Sequence, residues 1–407
     1  MMTKILVLNA GSSSQKSCLY EIDEKLPGEP PQPLWTAHGD WTRQNDRASL
    51  TVSTLHGQKI EQQITSQERG QILQQILKTL WQGPTKVIEH PSEITLVGHR
   101  VVHGGPEYRT SIRVTPTVIE NLRKISEFAP LHNPANLEGI KIIEQLLGDT
   151  PQIAVFDTAF HRHLLPESTI YPGPYAWYEQ HLQRYGFHGI SHQYCTQRIA
   201  DIVQRDPQEL RIINCHLGNG CSLAAIRDGH SIDTTMGFTP LEGLMMGTRS
   251  GSIDPGILFY LQREKGYTAE QLDHQLNKES GLLGISGVSG DLRLLHEAIQ
   301  QGNARAKLAV DIFVHRLRSC MGAMLAVLGG VDVIAFTGGI GENDPQIRAR
   351  ACDAFGFLHL ELDEAKNQQS PADQEISTST SAVRVLLIHT EEDWEIAREC
   401  WKLSQAQ

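Results

Sequence analysis

The 407-residue sequence lacks the long apolar runs that would assign it to a membrane or to export. Its longest apolar run, residues 321–331, is shorter than the ~20 residues that a helix needs to cross a bilayer. The apolar run at residues 5–8 is too short for the core of a secretory signal, and Asn9 and a run of serines follow it. We therefore expect neither a membrane span nor a secretory signal.

Basic residues are also scarce. The sequence has 36 Lys and Arg against 47 Asp and Glu, which gives a formal net charge of −11. Such an acidic chain is a poor candidate for a general binder of nucleic acid or of anionic membranes, although it can hold a local basic pocket. The hydrophobic fraction of 40% and the charged fraction of 20% are those of an ordinary globular protein.

Cysteine is present without any pairing pattern. Seven cysteines are scattered along the sequence, their number is odd, and no C-x-x-C motif occurs. This usage favours reduced thiols over a disulfide framework and predicts a cytoplasmic location.

Strand-like and helix-like segments alternate along the sequence, which predicts an α/β fold. The predicted strands are residues 4–8, 95–102, 153–156, 211–215, 221–226, 331–336 and 383–388. The predicted helices are residues 71–81, 134–147, 302–328 and 394–407, and Asp344-Pro345 is typical of the start of a further helix. A break at residues 148–151 predicts a domain boundary near residue 150, and the polar segment 368–381 is expected to be a surface loop.

Three loops rich in small residues follow predicted strands and are candidates for phosphate contacts. In residues 9–16, small residues and hydroxyls let a phosphate approach, Lys16 supplies charge, and the amide oxygen of Asn9 suits Mg²⁺ or its water shell. Residues 214–222 form a second loop, and residues 337–343 form a glycine-rich turn into a helix. The first two are also compatible with plain hairpin turns, and none matches a Walker-type or dinucleotide-binding pattern. Together they predict a nucleotide held between two domains.

Four further side chains are candidates for the chemistry. Arg100, at a strand end, is a good anion clamp, with a surface salt bridge as the alternative. Asp157 follows a buried strand and is interpreted as either a site residue or a helix cap. His188 has aromatic and glycine neighbours that favour a shaped pocket with His188 as a donor; a buried structural histidine and, less favoured, a zinc ligand with His192 are the alternatives. Arg249 is framed by Thr, Ser and Gly, which suits a phosphoryl group unless its long loop is a mobile surface segment.

A set of motifs along the whole sequence carries a family resemblance. The motifs are NAGSSSQK (9–16), GHRVVHGG (98–105), APLHNPANL (129–137), VFDTAFH (155–161), RYGFHGISH (184–192), HLGNGCS (216–222), DTTMGFTPLEGLMMGTRSGSIDPG (233–256) and FTGGIGEN (336–343). With these motifs in this order, the sequence resembles the acetokinase family, within the superfamily of actin, sugar kinases and heat-shock chaperones.

The resemblance implies a fold and an assembly. The expected α/β fold has two ribonuclease H-like domains flanking an active-site cleft. The N-terminal domain comprises residues 1–150, joined by the C-terminal helix 394–407, and residues 151–393 form the nucleotide-binding domain. The resemblance further implies a homodimer that uses Mg²⁺, with Mn²⁺ as a possible substitute, and takes acetate and ATP as substrates.

The resemblance also implies a role for individual residues. The catalytic residues are Asp157, His188 and Arg249. Arg100 binds the substrate carboxylate, His132 lines the same site, and the small apolar pocket for the acetate methyl consists of Val102, Leu131, Phe187 and Pro240. The ATP-binding residues are Lys16, His216, Leu217, Gly218, Asn219, Gly220, Asp291, Leu292, Arg293, Gly338, Gly339, Ile340, Gly341 and Glu342. The metal ligands are Asn9 and Glu392.

The sequence departs from the family pattern at two places. Family members commonly have a P-T-N-E-E stretch near the C-terminus, where this sequence has H-T-E-E-D at residues 389–393. Glu391 is therefore an alternative to Glu392 as the metal ligand. Ser252 stands where an Asp is usual after R-S-G. Neither change touches a residue assigned to phosphoryl transfer.

The activity that the resemblance implies is reversible, Mg-ATP-dependent phosphorylation of acetate to acetyl phosphate by in-line transfer. Because a carboxylate is already ionised at neutral pH, we expect Asp157 to orient an arginine or the substrate and not to abstract a proton. Propionate kinase of the same family is the alternative, since a methylene changes binding by only ~1–3 kcal/mol. A non-kinase ATPase of the superfamily is the alternative from another class, which the pairing of Arg100 with Arg249 disfavours.

Overall fold

The structure is a computed structural model that describes residues 2–10, 14–40, 47–65, 69–129, 132–370 and 372–406. The chain divides into two compact units, one of Met1–Ala159 with Glu391–Gln407 and one of Phe160–Thr390. Each unit contains a mixed β-sheet and helices. The α/β class predicted from the sequence is confirmed.

The secondary-structure elements are numbered in chain order. The strands are β1 (Thr3–Ala10), β2 (Ser14–Ile22), β3 (Trp35–Asp40), β4 (Arg47–Thr54), β5 (Lys59–Thr65), β6 (Leu96–Val101), β7 (Ile112–Arg113), β8 (Gln152–Phe156), β9 (Arg211–Leu217), β10 (Cys221–Arg227), β11 (His230–Thr234), β12 (Val333–Thr337), β13 (Gln374–Glu375) and β14 (Arg384–Leu387). The helices are α1 (Arg69–Lys78), α2 (Pro116–Lys124), α3 (Asn133–Leu147), α4 (Pro166–Thr169), α5 (Tyr175–Glu179), α6 (Gly189–Val203), α7 (Pro255–Lys265), α8 (Ala269–Lys278), α9 (Gly281–Ser286), α10 (Leu292–Gln300), α11 (Ala304–Leu328), α12 (Gly338–Asn343), α13 (Pro345–Asp353), α14 (Glu364–Gln369) and α15 (Glu392–Gln405).

The sheet of the first unit has the strand order β5-β4-β3-β2-β1-β6-β8-β7. Strands β1 to β5 form an antiparallel meander, whereas β6 is parallel to both β1 and β8. Three neighbouring parallel strands therefore end at the same edge of the sheet. Asn9, Arg100 and Asp157 lie at or directly after these three ends.

Helix α15 packs directly on β6 at Gly98. A Cβ atom at this glycine would lie 2.6 Å from Cys400 Sγ and 2.7 Å from Ile396 Cγ2. Both distances are shorter than real carbon contacts allow, so only glycine permits this approach of strand and helix. The packing carries the acidic start of α15 towards the edge where β1, β6 and β8 end, because Asn9 donates to Asp393 there.

The sheet of the second unit has the strand order β11-β10-β9-β12-β14-β13. Strand β12 is parallel to β9 and to β14, and β9, β10 and β11 are antiparallel. Every residue of β12 and nearly every residue of β9 and β10 is buried, as expected for strands at the centre of a sheet that is covered by helices. The turns after β9 and after β12 therefore stand on a rigid core.

The predicted strands and helices are confirmed within a few residues. One interpretation is wrong: segment 368–381 is not only a surface loop, because it contains β13, which pairs with β14, and the fully buried Ile376. Strand β8, which the predicted boundary at residue 150 assigns to the second domain, pairs with β6 in the first unit. Its pairing keeps Asp157 beside the end of β6.

Two predictions from composition can be compared with the structure. All seven cysteines lie within the described residues and are free thiols, six of them buried. Among the helices of the described residues, none combines the length and apolar character that a bilayer span requires. The cytoplasmic location stays a prediction.

Candidate active site

A buried ion pair between Arg100 and Asp157 lies at the edge where the parallel strands of the first unit end. Nε and Nη2 of Arg100 donate to the same oxygen of Asp157, at 3.0 and 2.6 Å. Both side chains are largely buried, with 17% and 3% of their surfaces exposed. Asp157 therefore fixes Arg100 and does not cap a helix, and Arg100 is not an ordinary surface salt bridge.

Asn9 connects this ion pair to the start of α15. Arg100 Nη1 donates to Asn9 Oδ1 at 3.0 Å, and Asn9 Nδ2 donates to Asp393 at 2.9 Å and to Glu392 at 3.4 Å. Lys16 Nζ lies 2.5 Å from the other oxygen of Asp393. The structure thus brings together Asn9, Lys16, Arg100 and Glu392, four residues to which the family resemblance assigns roles in the site. The tip of the loop between β1 and β2, residues 11–13, lies outside the described residues.

The charges in this cluster support one another. Burial opposes the charge of Arg100, but the carboxylates of Asp157, Glu392 and Asp393 together outweigh this effect and raise the pKa of Arg100. Desolvation also opposes the charge of Lys16, whose side chain is 54% exposed, and the carboxylates of Asp393 and Glu391 together raise the pKa of Lys16. Burial raises the pKa of Asp157, an effect that Arg100 partly offsets. The charges of Arg100 and Asp157 therefore depend on each other to remain in the protein interior.

The predicted substrate-pocket residues of the first unit are located at the end of β6 and at the start of α3. Val102 follows β6, is 6% exposed, and its backbone N–H donates to the Asn136 side chain at 3.3 Å. His132 immediately precedes α3, whose first residue, Asn133, hydrogen bonds with the backbone of His103. Leu131, which was also assigned to this pocket, lies outside the described residues.

In the second unit, His188 and Arg249 converge on Gly220. A Cβ atom at Gly220 would lie 2.7 Å from Arg249 Nη2 and 3.3 Å from His188 Nε2. His188 precedes α6 with a left-handed backbone conformation, φ 57°, and its Nδ1 lies 2.9 Å from the Ser222 hydroxyl. Only glycine at position 220 leaves space for both side chains. This engagement of His188 also argues against a zinc site with His192, which contacts the same hydroxyl at 2.8 Å.

Arg249 has no counter-ion among the residues that the structure describes. Its Nη1 donates to the carbonyl oxygen of Pro240 at 2.6 Å. Within the described part of the chain it makes no salt bridge, and burial lowers its pKa. A half-buried charge of this kind is costly unless an anion neutralises it. Arg249 is therefore ready to receive an anionic group.

The loop that carries Pro240 and Arg249 is anchored by a polar network that sequence reasoning missed. Arg184 Nη1 donates to the carbonyl oxygens of residues 234–236, and its Nη2 donates to Glu242 at 2.8 Å. Tyr171 donates to Glu242 and accepts from the backbone N–H of Phe238 at 2.8 Å. This irregular stretch is therefore held in place and is not a mobile surface segment, the alternative that the sequence left open.

Phe187, another residue predicted to form the substrate pocket, directly precedes His188 in the chain. Its side chain is 1% exposed, and its carbonyl oxygen is 3.0 Å from His161 Nε2. Burial lowers the pKa of His161 to about 4, so this imidazole stays neutral and holds the backbone next to His188.

A large cavity of the second unit is lined by seven of the fourteen predicted nucleotide residues. Its volume is about 820 Å³. The predicted residues that line it are Gly218, Asn219, Asp291, Leu292, Arg293, Gly339 and Ile340, and the others are Gly290, His296, Asn343, Asp344, Pro345 and Gln346. Such a volume and lining fit a ligand of nucleotide size. His296 was missed from the sequence because no motif contains it; its Nε2 lies 2.7 Å from Asp344.

Six other predicted nucleotide residues of the second unit are close in sequence to the residues that line the cavity but do not line it themselves. His216 and Leu217 end β9, and Gly220 completes the turn into β10. The turn after β12, predicted as a loop, is the short helix α12, and it contains Gly338, Gly341 and Glu342. Glu342 accepts from the backbone N–H of Gly338 at 2.9 Å and contacts His389 at 2.6 Å.

The residues predicted to hold a metal fit a hard cation. Glu392 and Asp393 offer carboxylate oxygens, which Mg²⁺ and Mn²⁺ prefer, and both lie beside the amide nitrogen of Asn9. The amide oxygen of Asn9, the other predicted ligand atom, accepts from Arg100. Mg²⁺ is usually held by one or two carboxylates together with water and substrate phosphates. The described residues include no group of three His, Cys, Asp or Glu placed to hold a metal. Asp393, which contacts both Asn9 and Lys16, was missed although it continues the acidic run of Glu391 and Glu392.

Comparisons with known proteins agree with the family resemblance. Residues 4–398 match the model of the acetokinase family. The chain is 60% identical over 401 residues to the acetate kinase of Trichormus variabilis. The aligned region covers 98% of this chain and 99% of that protein. It is similar to the crystal structure of Porphyromonas gingivalis acetate kinase, with a TM-score of 0.89, 39% identity and coverage of 99% and 100% of the two chains. A propionate kinase structure from Francisella tularensis matches with a TM-score of 0.89, 36% identity and coverage of 98% and 100%.

The buried ion pair leads to a stability prediction. Arg100→Ala is expected to lower the free energy of unfolding by about 3–5 kcal/mol near neutral pH, because it leaves Asp157 buried without its cation. Losing Arg100 raises the pKa of Asp157 further. An acid with a raised pKa in the folded state loses stability as the pH climbs above its ordinary value, here 3.8. The deficit should therefore shrink when urea unfolding is measured at about pH 5 instead of about pH 7.5.

Two variants control this measurement. Adding Asp157→Asn to Arg100→Ala removes the buried charge and should recover most of the lost stability. Arg123→Ala, which removes an exposed arginine paired with Glu120, should change the free energy of unfolding by less than about 0.5 kcal/mol at either pH. A deficit of Arg100→Ala that is independent of pH, and that Asp157→Asn does not relieve, would contradict the assignment.

Proposed function

The chain belongs to the acetokinase family, and we propose that it reversibly transfers the γ-phosphoryl group of ATP to acetate, forming acetyl phosphate. The observation that carries this proposal is its 60% identity, over 98% of its length, to a curated acetate kinase. The geometry supports it, because the chain has a fixed guanidinium for a carboxylate, a half-buried cation for a phosphoryl group and a cavity of nucleotide size.

Arg100 is the residue that we assign to the acetate carboxylate. Asp157 and Asn9 hold its guanidinium through three hydrogen bonds, so its position is set before any substrate binds. A planar, permanently charged guanidinium suits a planar carboxylate. Acetate is already ionised at neutral pH, so the reaction needs no general base. We therefore assign Asp157 to the orientation of Arg100.

His188 and Arg249 are assigned to the phosphoryl group during transfer. The transferred group carries negative charge on three equatorial oxygens, and catalysis depends mainly on positioning and on neutralising that charge. Arg249 Nη2 and His188 Nε2, which flank Gly220, are suited to donate to these oxygens. Losing one preorganised donor of this kind costs about 10²–10³ in kcat.

The cavity of about 820 Å³ is assigned to ATP. The turn at Gly218 and Asn219, the start of α10 and the start of α12 meet around it. Lys16, whose charge Asp393 stabilises, is assigned to the phosphates of the same nucleotide. A non-kinase ATPase would not need Arg100 held in place for a second, anionic substrate.

The family resemblance assigns the methyl group of acetate to the apolar residues Val102, Leu131, Phe187 and Pro240. A pocket of methyl size discriminates acetate from propionate by only ~1–3 kcal/mol per methylene. Propionate kinase remains the second candidate, and a solved propionate kinase shares 36% identity with the chain. Direct comparison of the two acids decides between the candidates.

The proposed activity is tested by incubating the protein with Mg-ATP and acetate, propionate or butyrate and trapping any acyl phosphate as a hydroxamate. We expect the highest kcat/KM for acetate and a fall of about 10- to 200-fold for each added methylene. Arg100→Ala should abolish most of the activity, whereas the exposed control Arg123→Ala should retain it. A preference for propionate would change the substrate and keep the mechanism. ATP hydrolysis that needs no acid would contradict the proposed function.

Glu392 and Asn9 are the residues that would hold Mg²⁺, or Mn²⁺ in its place. The ion would neutralise the phosphate charge of ATP during transfer. Glu392, the first residue of α15, is favoured over Glu391 because its carboxylate faces Asn9 and Arg100, at 3.4 Å and 3.7 Å. Asp393 is committed to Lys16 and Asn9.

Glu392→Gln is expected to shift the Mg²⁺ activation curve to concentrations about 10- to 100-fold higher, because one anionic ligand is lost. The curve is measured as acyl phosphate formation against Mg²⁺ at saturating acetate. Glu399→Gln on the same helix, where Glu399 accepts from Ser111, serves as the matched control and should leave the curve in place. A larger shift for Glu391→Gln than for Glu392→Gln would reverse the assignment.

A homodimer is the assembly that we propose. None of the residues of α7 is buried, and Ile257, Phe259 and Tyr260 on this helix are 49%, 59% and 50% exposed. Clustered apolar exposure of this kind is typical of an interaction surface. Phe259→Asp should produce a monomer in sedimentation equilibrium, while Leu165→Asp, at an equally exposed position in the same unit, should not. A monomeric wild-type protein would contradict the proposal.

A further inference from the structure

Four side chains of the second unit form a hydrogen-bonded line that ends at His188. The Ser222 hydroxyl lies 2.9 Å from His188 Nδ1 and 2.8 Å from His192 Nε2. His192 Nδ1 lies 2.9 Å from the amide nitrogen of Asn214. Helix α6 begins directly after His188 and carries His192, while the paired strands β9 and β10 supply Asn214 and Ser222. The line therefore stands on three regular elements.

The amide of Asn214 sets the direction of these hydrogen bonds. Its nitrogen can only donate, so His192 Nδ1 accepts and the proton of that neutral ring lies on Nε2. His192 Nε2 then donates to the Ser222 oxygen, and the Ser222 hydrogen is left to point at His188 Nδ1. His188 Nδ1 is thereby an acceptor. The proton of the neutral His188 ring must lie on Nε2.

His188 Nε2 is the nitrogen that faces the candidate active site. It lies beside Gly220, where the position of a Cβ atom would be 3.3 Å from it and 2.7 Å from Arg249 Nη2. The ring of His188 stacks on that of His216, with centroids 4.3 Å apart, which restricts its rotation. The orientation of the His188 ring and the direction of the hydrogen bonds therefore lead to the same result. The Nε2–H group of His188 is a donor that faces the candidate active site.

We propose that Ser222, His192 and Asn214 are positioning residues that keep the proton of His188 on Nε2, so that His188 donates a hydrogen bond to the transferring phosphoryl group. The inference rests on the proposed function, because it assigns a tautomer to a residue that we place at the phosphoryl group. The three positioning residues act through His188 and do not touch the substrate themselves.

Burial protects the hydrogen bonds of the three positioning residues from water. The Ser222, His192 and Asn214 side chains are fully buried, so water does not compete for these hydrogen bonds. Burial lowers the pKa of His192 well below its ordinary value, and the neighbouring His161 and His216 add to this effect. His192 therefore remains neutral and passes on the direction that Asn214 sets.

The kinetic test compares two buried serines, each of which contacts a histidine. Ser222→Ala releases His188 Nδ1 and should lower kcat by about 10- to 100-fold with little change in the KM of acetate, because the His188 donor acts in the transition state. Ser231→Ala is the matched control, since Ser231 is equally buried and contacts His161 Nδ1 at 2.8 Å. It should change kcat by less than about threefold. Equal effects of the two variants would contradict the proposal.

The spectroscopic test reads the tautomer directly and needs no activity. Protein labelled with ¹⁵N at its 18 histidines is studied by two-bond ¹H–¹⁵N correlation, and the His188 signals are assigned from the spectrum of His188→Gln. The expected wild-type result is a protonated Nε2 and a bare Nδ1. Asn214→Asp, whose carboxylate can only accept, should move the proton of His188 to Nδ1. A wild-type Nδ1 proton overturns the proposal even where Asn214→Asp does not fold.

The two tests separate this inference from the function on which it rests. A wild-type protein that forms no acyl phosphate contradicts the proposed function, whereas the tautomer of His188 is still read from the spectrum. An active wild-type protein with the wrong tautomer contradicts the inference alone.

Discussion

The ion pair of Arg100 with Asp157 is the interaction on which the first unit's part of the candidate site depends. It exists because β6 and β8 are parallel neighbours whose chains end at the same edge of the sheet. The same edge receives Asn9 from β1, which accepts from Arg100, and Asn9 in turn contacts the start of α15. The permanently charged guanidinium of Arg100 is thereby fixed in a largely buried position. This depends on the strand order β1-β6-β8, which places Asn9 and Asp157 on either side of Arg100.

In the second unit, Arg249 and His188 are hydrogen-bond donors that we assign to the phosphoryl group, which is present only during the reaction. Arg249 is half-buried, donates to a carbonyl oxygen and makes no salt bridge within the described residues, so its charge is offset only when an anion binds. Gly220 gives it space beside His188, and the Arg184–Glu242 ion pair holds the loop on which it lies. A chain with a net negative charge can therefore still offer a local binding site for an anion, because Arg249 lies beside His188 and Gly220.

Many residues of the candidate site could be predicted from sequence motifs and from their positions at the ends of strands. Arg100, Asp157 and Asn9 follow apolar runs that are recognisable as strands, and the glycine-rich turns mark the cavity of about 820 Å³. What could not be predicted depends on contacts between distant segments. Asp393 rather than a neighbouring carboxylate meets Lys16 because of the rotation of α15, and periodicity does not reveal that β13 pairs with β14.

The central claim is that this chain catalyses transfer by positioning and charge neutralisation, with no covalent phosphoenzyme. The stereochemistry at phosphorus tests it most directly. ATP made chiral at the γ-phosphorus with oxygen isotopes and sulfur is used to phosphorylate acetate, and the configuration of the product is determined. A single in-line transfer predicts inversion. Retention would require two transfers through a phosphorylated residue and would contradict the account.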